Sequence, residues 1–188
     1  VSVRDRGLAY GDGVFETIAV RHCKAALLDR HLRRLLDGCR RLLIPMDEQL
    51  LREEVSAFIG QLADGVVKVL ITRGDGLRGY ALPEPQHPVR MLMSSALPAY
   101  SVVNCEQGIR LFPCATRLAE QPLLAGLKHL NRLEQVLARA EWTDPIFAEG
   151  LLRDQSGRVI EGVFSNLFLV SDGRLLTPDL SRCGVAGV

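Results

Sequence analysis

Residues 126–134 read Gly-Leu-Lys-His-Leu-Asn-Arg-Leu-Glu, and they contain Lys128, one of only three lysines in an arginine-rich chain. The other two, Lys24 and Lys68, lie where an exposed ammonium group needs no explanation. Apolar residues flank Lys128, and a helical pattern is expected to begin here. A desolvated lysine loses its proton more easily, so it can act as a general base or form a Schiff base, which arginine cannot do. The sequence therefore marks Lys128 as a candidate reactive amine.

Three other polar features accompany Lys128. Glu161 ends an apolar strand, where a carboxylate needs a cationic or N–H partner. Arg34 lies on a helix with four other arginines, most of which must be solvated. Residues 184–188, Gly-Val-Ala-Gly-Val, offer approachable backbone amides of the kind that cradle a phosphate. Taken singly, each has a plain alternative: a helix-start lysine with a packed stem, an outward-facing strand residue, a solvated arginine or an ordinary loop.

A glycine-rich loop follows the second predicted strand. Residues 73–80 read Arg-Gly-Asp-Gly-Leu-Arg-Gly-Tyr, so two guanidinium groups and a phenol lie among glycines. Such a loop can close on a ligand that carries a carboxylate. An exposed turn with charged residues explains the same composition equally well.

Composition excludes several classes of partner. In the 188 residues, 23 Lys and Arg balance 22 Asp and Glu, and a net charge of +1 argues against recognition of nucleic acid through its phosphates. No apolar run is long enough to span a membrane, and no secretion signal begins the chain, so we expect a cytoplasmic protein. The five cysteines and four histidines show no metal-ligand spacing, so we expect no metal site.

The first lobe is predicted to span residues 1–115. A strand over 13–20 precedes a helix capped by Asp29, and a second helix begins at an Asp47 cap. Further apolar runs of strand length follow these helices. The stripe of the first helix comprises Leu32, Leu35, Leu36, Cys39, Leu42 and Leu43, and the later strands lie over 66–72, 89–95 and 109–114.

The second lobe is predicted to span 127–188, after an interlobe linker at 116–126 where the periodicity lapses. A helix and three short strands are expected in it, which together indicate an α+β fold rather than a regular βαβ alternation. The inward face of the helix is predicted to carry Leu130, Leu133, Val136, Leu137 and Ala140, and the strands to lie over 150–154, 158–162 and 166–170.

Five segments, taken together, resemble the fold-type IV pyridoxal-phosphate enzymes, a two-lobed family with a small α/β lobe and a β-rich lobe. This family contains branched-chain aminotransferases, D-amino acid aminotransferases and aminodeoxychorismate lyases. The lyases match best, because the loop at 73–80 and the run Lys-His-Leu-Asn-Arg-Leu-Glu-Gln at 128–135 resemble theirs. The five segments are 5–17, 31–35, 73–80, 124–135 and 161–168.

The resemblance implies roles for particular residues. Lys128 corresponds to the Schiff-base lysine, Glu161 to the partner of the pyridinium nitrogen, and Arg34 to a ligand of the cofactor phosphate. Asn166 falls where the family keeps a polar residue near the cofactor, and Val188 falls at the phosphate cup. Expected substrate contacts are Thr17, Arg73, Arg78 and Tyr80.

The expected function is therefore a pyridoxal 5'-phosphate-dependent lyase of folate biosynthesis. It would convert a small-molecule substrate, 4-amino-4-deoxychorismate, to 4-aminobenzoate and pyruvate, as a homodimer. The alternatives are a D-amino acid or branched-chain aminotransferase, and, in another class, a cofactor-free fragment or non-catalytic protein. Family members usually have a strand before residue 1 and continue past 188, so the cofactor-binding lobe is expected to be incomplete here.

Overall fold

The computed structural model describes all of residues 1–188, and the chain divides into two compact units. Unit 1 comprises Val1–Pro98, Lys128–Asn131 and Val188, and unit 2 comprises Ala99–Leu127 and Arg132–Gly187. None of the helices combines the length and the apolar character that crossing a membrane requires.

Unit 1 is built on a four-stranded antiparallel sheet in the order β2-β1-β3-β4. Alternate residues of the long central strand are buried, which is the pattern of a strand with one covered face. The elements are α1 (Arg6–Tyr10), β1 (Gly13–Arg21), β2 (Lys24–Ala25), α2 (Leu28–Arg41), α3 (Glu48–Ile59), β3 (Gly65–Thr72) and β4 (Val89–Ser95).

Helices α2 and α3 cover one face of this sheet. The predicted Asp47 cap is confirmed, since its side chain accepts a hydrogen bond from Leu50 N at 3.0 Å. The predicted Asp29 cap is wrong, because α2 begins one residue earlier and Asp29 lies in its first turn. Leu43 lies outside the stripe, because the helix ends at Arg41 and the chain turns through a positive φ at Leu43. The buried core is Val14, Ile18, Val20, Leu32, Leu35, Cys39, Ile44, Leu51, Val55, Ile59, Val67, Val69 and Ile71.

Unit 2 contains a three-stranded sheet in the order β5-β6-β7, parallel at the first pairing and antiparallel at the second. A separate hairpin, β8-β9, turns through positive φ angles at Asp172 and Gly173, as a tight two-residue turn requires. The elements are α4 (Val102–Gln107), β5 (Arg110–Leu118), α5 (Leu133–Arg139), β6 (Phe147–Asp154), β7 (Val159–Gly162), β8 (Leu169–Ser171) and β9 (Arg174–Leu176).

Helix α5 is shorter than predicted and presents a different face. It begins at Leu133, which is 75% exposed, and Val136 and Leu137 are exposed as well. Its buried residue is Ala138, whose small side chain lets the helix approach β5 closely, where Cys114 lies. The predicted inward stripe of large apolar residues is therefore wrong.

The unit boundary lies earlier in the chain than the predicted end of the first lobe at residue 115. Strand β5 pairs with β6, so its residues belong to unit 2. The predicted second lobe also loses 128–131, which return to unit 1. Residue type alone does not show these pairings, because they join segments distant in the sequence.

Candidate active site

The predicted site residues are distributed over both units. Unit 2 contains Glu161 and Asn166. Unit 1 contains Lys128, Arg34, Thr17, Arg73, Arg78, Tyr80 and Val188.

Lys128 lies in an extended segment beside β1, and the prediction that a helix begins here is wrong. Phe15 N donates to Lys128 O at 2.9 Å, and Leu130 N donates to Gly13 O at 3.0 Å. These bonds surround an antiparallel bridge of Val14 with His129. Because strand pairing uses the backbone groups on either side of His129, the helix starts only at Leu133.

The Lys128 side chain is half-buried on the sheet face opposite the two helices of unit 1. Its Nζ lies over the Phe15 ring, 4.6 Å from the centroid. Lys68 Nζ lies over the same ring at 5.1 Å. Thr17, which pairs with Lys68 across β1 and β3, is exposed on this face. The structure thus gathers Thr17 and two amines around one phenyl ring.

Sequence reasoning set Lys68 aside, although a signal for it exists. Alternation along β3 places Lys68 opposite the buried Val67 and Val69. Pairing of β1 with β3 then brings it beside Thr17 and diagonal to Phe15. Finding Lys68 required the strand register, which the sequence alone does not supply.

Arg34 is held by a buried carboxylate. Its Nε and Nη2 donate to the two carboxylate oxygens of Glu16 at 2.5 and 2.6 Å, and His31 Nδ1 lies 2.7 Å from Glu16 Oε2. Burial alone raises the pKa of Glu16, but the hydrogen bonds with His31 and Arg34 outweigh burial and lower it. Glu16 is therefore an ionised anchor that fixes the plane of the Arg34 guanidinium. Sequence reasoning found Arg34 and missed Glu16 and His31.

Arg73 was predicted to contact the substrate, but all five of its N–H groups have partners inside unit 1. Nε and Nη2 donate to Asp12 at 2.7 and 2.9 Å, and the remaining hydrogens reach Gln86 and the carbonyl oxygens of Leu42 and Leu43. Its side chain is 4% exposed. A guanidinium with five N–H donors has none left for a substrate carboxylate here.

Arg78 and Tyr80 differ from Arg73, because both are exposed. The Tyr80 ring lies 5.4 Å from that of Tyr10, and Arg6 donates to the carbonyl oxygens of residues 79–81. The loop backbone is thereby anchored while its side chains face outward. Contact of Arg78 and Tyr80 with a substrate stays a prediction.

In unit 2, Glu161 and Asn166 both contact Val185. Glu161 Oε2 accepts from Val185 N at 2.8 Å, and Asn166 Nδ2 donates to Val185 O at 2.9 Å. Glu161 is 3% exposed, so its charge is stabilised by protein groups rather than by water. The predicted need of this carboxylate for an N–H partner is confirmed.

Arg132 adds a charge that sequence reasoning missed, although it lies in the run that drew attention first. Burial lowers the pKa of Arg132, and the negative charges of Glu161 and Glu134 act in the opposite direction. An arginine keeps its charge under such a shift, so Arg132 contributes a positive potential at Glu161.

The glycine-rich segment at 184–187 is a loop that contains one isolated bridge residue, Val185, and that is hydrogen-bonded to Gly126. Gly126 N donates to Gly184 O at 2.9 Å, and Ala186 N donates to Gly126 O at 3.1 Å. The parallel bridge of Gly126 with Val185 lies at this position. Val188 is assigned to unit 1, and its role at a phosphate stays a prediction.

Residues 13–188 match the family model described as amino-transferase class IV, and the chain belongs to this family. The predicted resemblance to fold-type IV enzymes and the predicted α+β fold are confirmed.

Individual members of this family are similar to the chain over its whole length. The chain is 38% identical to an aminodeoxychorismate lyase of Vibrio harveyi over 190 residues, which cover 100% of this chain and 70% of the relative. Its structure matches the crystal structure of 4-amino-4-deoxychorismate lyase from Pseudomonas aeruginosa with a TM-score of 0.97 and 65% identity, covering 100% of this chain and 69% of that one. It also matches the branched-chain amino acid aminotransferase of Escherichia coli with a TM-score of 0.84 and 26% identity, covering 100% and 66%.

Proposed function

We propose that this chain is a pyridoxal phosphate-dependent lyase that converts 4-amino-4-deoxychorismate to 4-aminobenzoate and pyruvate. The observation that carries the proposal is the 65% identity to the Pseudomonas aeruginosa lyase over the whole of this chain. The Vibrio harveyi relative supports the same reading. The site residues have the chemistry that this reaction requires.

The residues present fit the cofactor. Lys128 supplies a half-buried primary amine for its aldehyde, and Arg34 supplies a guanidinium, fixed in plane by Glu16, for its phosphate. Glu161 supplies a buried carboxylate for the ring nitrogen. Both Glu161 and Asn166 are hydrogen-bonded to the backbone of Val185. When bound, pyridoxal phosphate supplies a ring that accepts electrons from the substrate carbon.

Lys128 has two functions in this proposal. Its Nζ would be the nucleophile that holds the cofactor and, once the substrate amine has displaced it, the free amine would be the general base for the proton on the carbon that carries the substrate amine. Phe15 lies beneath this amine and supports one side of it. Loss of that proton and of the neighbouring enolpyruvyl oxygen leaves an aromatic ring, which favours completion of the reaction.

Glu161 holds a proton at the ring nitrogen in this proposal. Its carboxylate has a backbone N–H on Oε2, so its orientation is set by Val185 and not by solvent. An oriented anion in a site that excludes water stabilises a nearby positive charge more than the same anion in water does. Val188 is a proposed contact of the cofactor phosphate. The exposed Thr17, Arg78 and Tyr80 are the proposed substrate contacts.

A product assay tests the lyase. The purified protein, with pyridoxal phosphate and 4-amino-4-deoxychorismate but no added 2-oxo acid, is expected to form pyruvate and 4-aminobenzoate in equal amounts. Lys24→Ala serves as the matched control for Lys128→Ala, because Lys24 is an exposed lysine on β2. Activity that requires a 2-oxo acid and yields an amino acid would contradict the proposal.

The second candidate is a branched-chain or D-amino acid aminotransferase with the same Lys128 and Glu161. The match to the Escherichia coli branched-chain enzyme favours it, at much lower identity than the lyase. Dependence on a 2-oxo acid separates the two activities. A homodimeric state and a cytoplasmic location complete the proposal, and sedimentation of the purified protein tests the first of these.

A further inference from the structure

Glu149 is a buried carboxylate in β6 to which neither the sequence nor the proposed reaction gives a function. It is 3% exposed. Its Oε1 accepts from Gly150 N at 2.8 Å and from Val163 N at 3.1 Å, and its Oε2 accepts from Ser165 Oγ at 2.7 Å and from Phe164 N at 3.4 Å. Three backbone N–H groups and one hydroxyl therefore converge on one side chain.

These bonds lie where β7 leaves the sheet. The ladder with β6 pairs Leu152 with Glu161 and Leu151 with Gly162, and there it ends. Gly162 N then donates to Ser165 O at 2.8 Å, which closes a tight turn over residues 162–165. In this turn the Glu149 carboxylate accepts from Phe164 N and Ser165 Oγ, and it shares Val163 N with the carbonyl oxygen of Gly150. Without the carboxylate, the Phe164 N–H and the Ser165 hydroxyl would lose this acceptor, and the turn would lose a group that ties it to β6.

The turn leaves no spare room. A Cβ atom at Gly162 would lie 2.3 Å from Ser165 Oγ and 2.9 Å from Glu149 Cδ. Real Cβ atoms do not approach heavy atoms so closely, so the glycine and the Glu149 carboxylate fit each other sterically as well as by hydrogen bonds.

The same turn sets the spacing of two proposed cofactor residues. Glu161 immediately precedes it and Asn166 immediately follows it, and the two contact opposite sides of the Val185 backbone, its N–H and its C=O. A change in the turn therefore changes how both side chains meet Val185.

We propose that Glu149 is a positioning residue, which acts through the turn at 162–165 to orient the Glu161 carboxylate and Asn166 on Val185. This inference rests on the proposed function, since Glu161 is the proposed partner of the cofactor ring. Glu149 itself does not touch the reacting atoms.

The test compares two buried carboxylates of the same strand. Glu149→Gln replaces one acceptor oxygen by an NH2 group, which cannot accept from Phe164 N or Ser165 Oγ. Asp154→Asn is the matched control, because Asp154 is 1% exposed and also accepts from backbone N–H groups, those of Ser156 and Arg158, at the opposite end of β7. Both variants are expected to lower Tm.

Only Glu149→Gln is expected to change the affinity for pyridoxal phosphate and the absorbance of the bound cofactor. We expect the dissociation constant of pyridoxal phosphate to rise about tenfold, a loss comparable to that seen when the group orienting a metal ligand is removed. At saturating pyridoxal phosphate, its visible absorbance band is expected to shift as well. Equal constants and identical bands for the two variants would overturn the inference.

A milder variant covers the case in which Glu149→Gln fails to fold. Ser165→Ala removes one donor to Glu149 and leaves the carboxylate in place, and we expect a change in the same direction of about fivefold, which corresponds to about 1 kcal/mol for one hydrogen bond. An unchanged dissociation constant and band in Ser165→Ala would then count against the inference.

The two absorbance measurements need bound cofactor but no lyase chemistry. If the wild-type protein binds pyridoxal phosphate and forms no 4-aminobenzoate, the proposed function fails while the role of Glu149 is still decided by the variants. If the wild-type protein does not bind pyridoxal phosphate at all, both proposals are overturned.

Discussion

Two carboxylates of unit 1 and two of unit 2, all largely shielded from water, are stabilised by different donors. In unit 1, Asp12 and Glu16 accept from arginine guanidinium groups. In unit 2, Glu149 and Glu161 accept from backbone N–H groups. A guanidinium pair depends on the ionisation of the carboxylate, whereas the N–H groups around Glu149 depend on a close approach of the chain for which only a glycine at 162 leaves room. The surroundings of Asp12 and Glu16 are therefore expected to be sensitive to charge and pH, and those of Glu149 to added volume.

The largest effect is expected at Lys128, whose function rests on the side chain itself. Lys128→Ala is expected to lower lyase activity by about 1,000-fold or more, because nucleophile and general base are lost together. Stability is expected to fall by only about 1 kcal/mol, the contribution of the cation–π contact with Phe15. Formation of 4-aminobenzoate and thermal unfolding measure the two quantities. A variant that unfolds at the wild-type temperature yet keeps its activity would exclude this role.

Asp12→Ala tests the expected sensitivity of the arginine-bound carboxylates to a loss of charge. Asp12→Ala leaves Arg6 and Arg73 without their shared carboxylate, and a loss of about 3–5 kcal/mol in the free energy of unfolding is expected. Glu54→Gln is the control, because it breaks a more exposed pair with Arg90, which is expected to contribute less than about 1 kcal/mol. Urea unfolding measures both. Equal losses would contradict the importance of burial.

The pH dependence of this contribution follows from the direction of the pKa shift. Burial raises the pKa of Asp12, but hydrogen bonds from Arg73 and Arg6 outweigh burial and lower it below its usual value. Its stabilisation is therefore complete above the pKa of the unfolded carboxyl, about 3.9, and is lost as the pH falls through the lower folded pKa. The difference between wild type and Asp12→Ala is expected to shrink in that acid range. A difference that stays constant there would contradict the ion-pair account.

Gly162→Ala tests the expected sensitivity of the turn beside Glu149 to added volume. Gly162→Ala is expected to cost about 1–3 kcal/mol, because the added methyl group meets Ser165 and Glu149 in a filled space. Gly60→Ala is the control, since a Cβ there meets only backbone oxygens at 3.5 Å, an ordinary contact. Chemical denaturation of the two variants gives the difference. A Gly162→Ala protein as stable as Gly60→Ala would show that the turn can expand.

The smallest effect on stability is expected at Arg78. Arg78→Ala is expected to leave the free energy of unfolding within about 0.5 kcal/mol of the wild type, because its side chain is exposed. As a proposed substrate contact, it is expected to raise KM about tenfold, which corresponds to about 1.4 kcal/mol. Steady-state kinetics with 4-amino-4-deoxychorismate measure the change. An unaltered KM would remove Arg78 from the proposed substrate contacts.

The sequence predicted those parts of the molecule that local patterns determine. The β1 strand, the stripe of α2 as far as Leu42 and the Asp47 cap follow from periodicity and capping chemistry over a few residues. Lys128 and Glu161 were selected as candidates because a lysine or a carboxylate in an apolar setting is rare.

The remaining features depend on partners distant in the chain. Arg73 was predicted to meet a substrate, but Asp12 and two backbone carbonyl oxygens bind its guanidinium. Lys128 was placed at a helix start, but pairing with β1 extends its backbone. The partner of Glu161 is a backbone N–H of Val185, and a backbone group carries no signature in residue type.

The attachment of the cofactor to Lys128 tests the central claim most directly. Borohydride treatment of the protein with pyridoxal phosphate fixes the cofactor to the amine that holds it, and mass spectrometry of peptides then locates the added pyridoxyl group. The account predicts this group on the peptide that contains Lys128 and on neither the Lys24 nor the Lys68 peptide. Labelling of Lys68 in place of Lys128, or no labelled peptide at all, would contradict it.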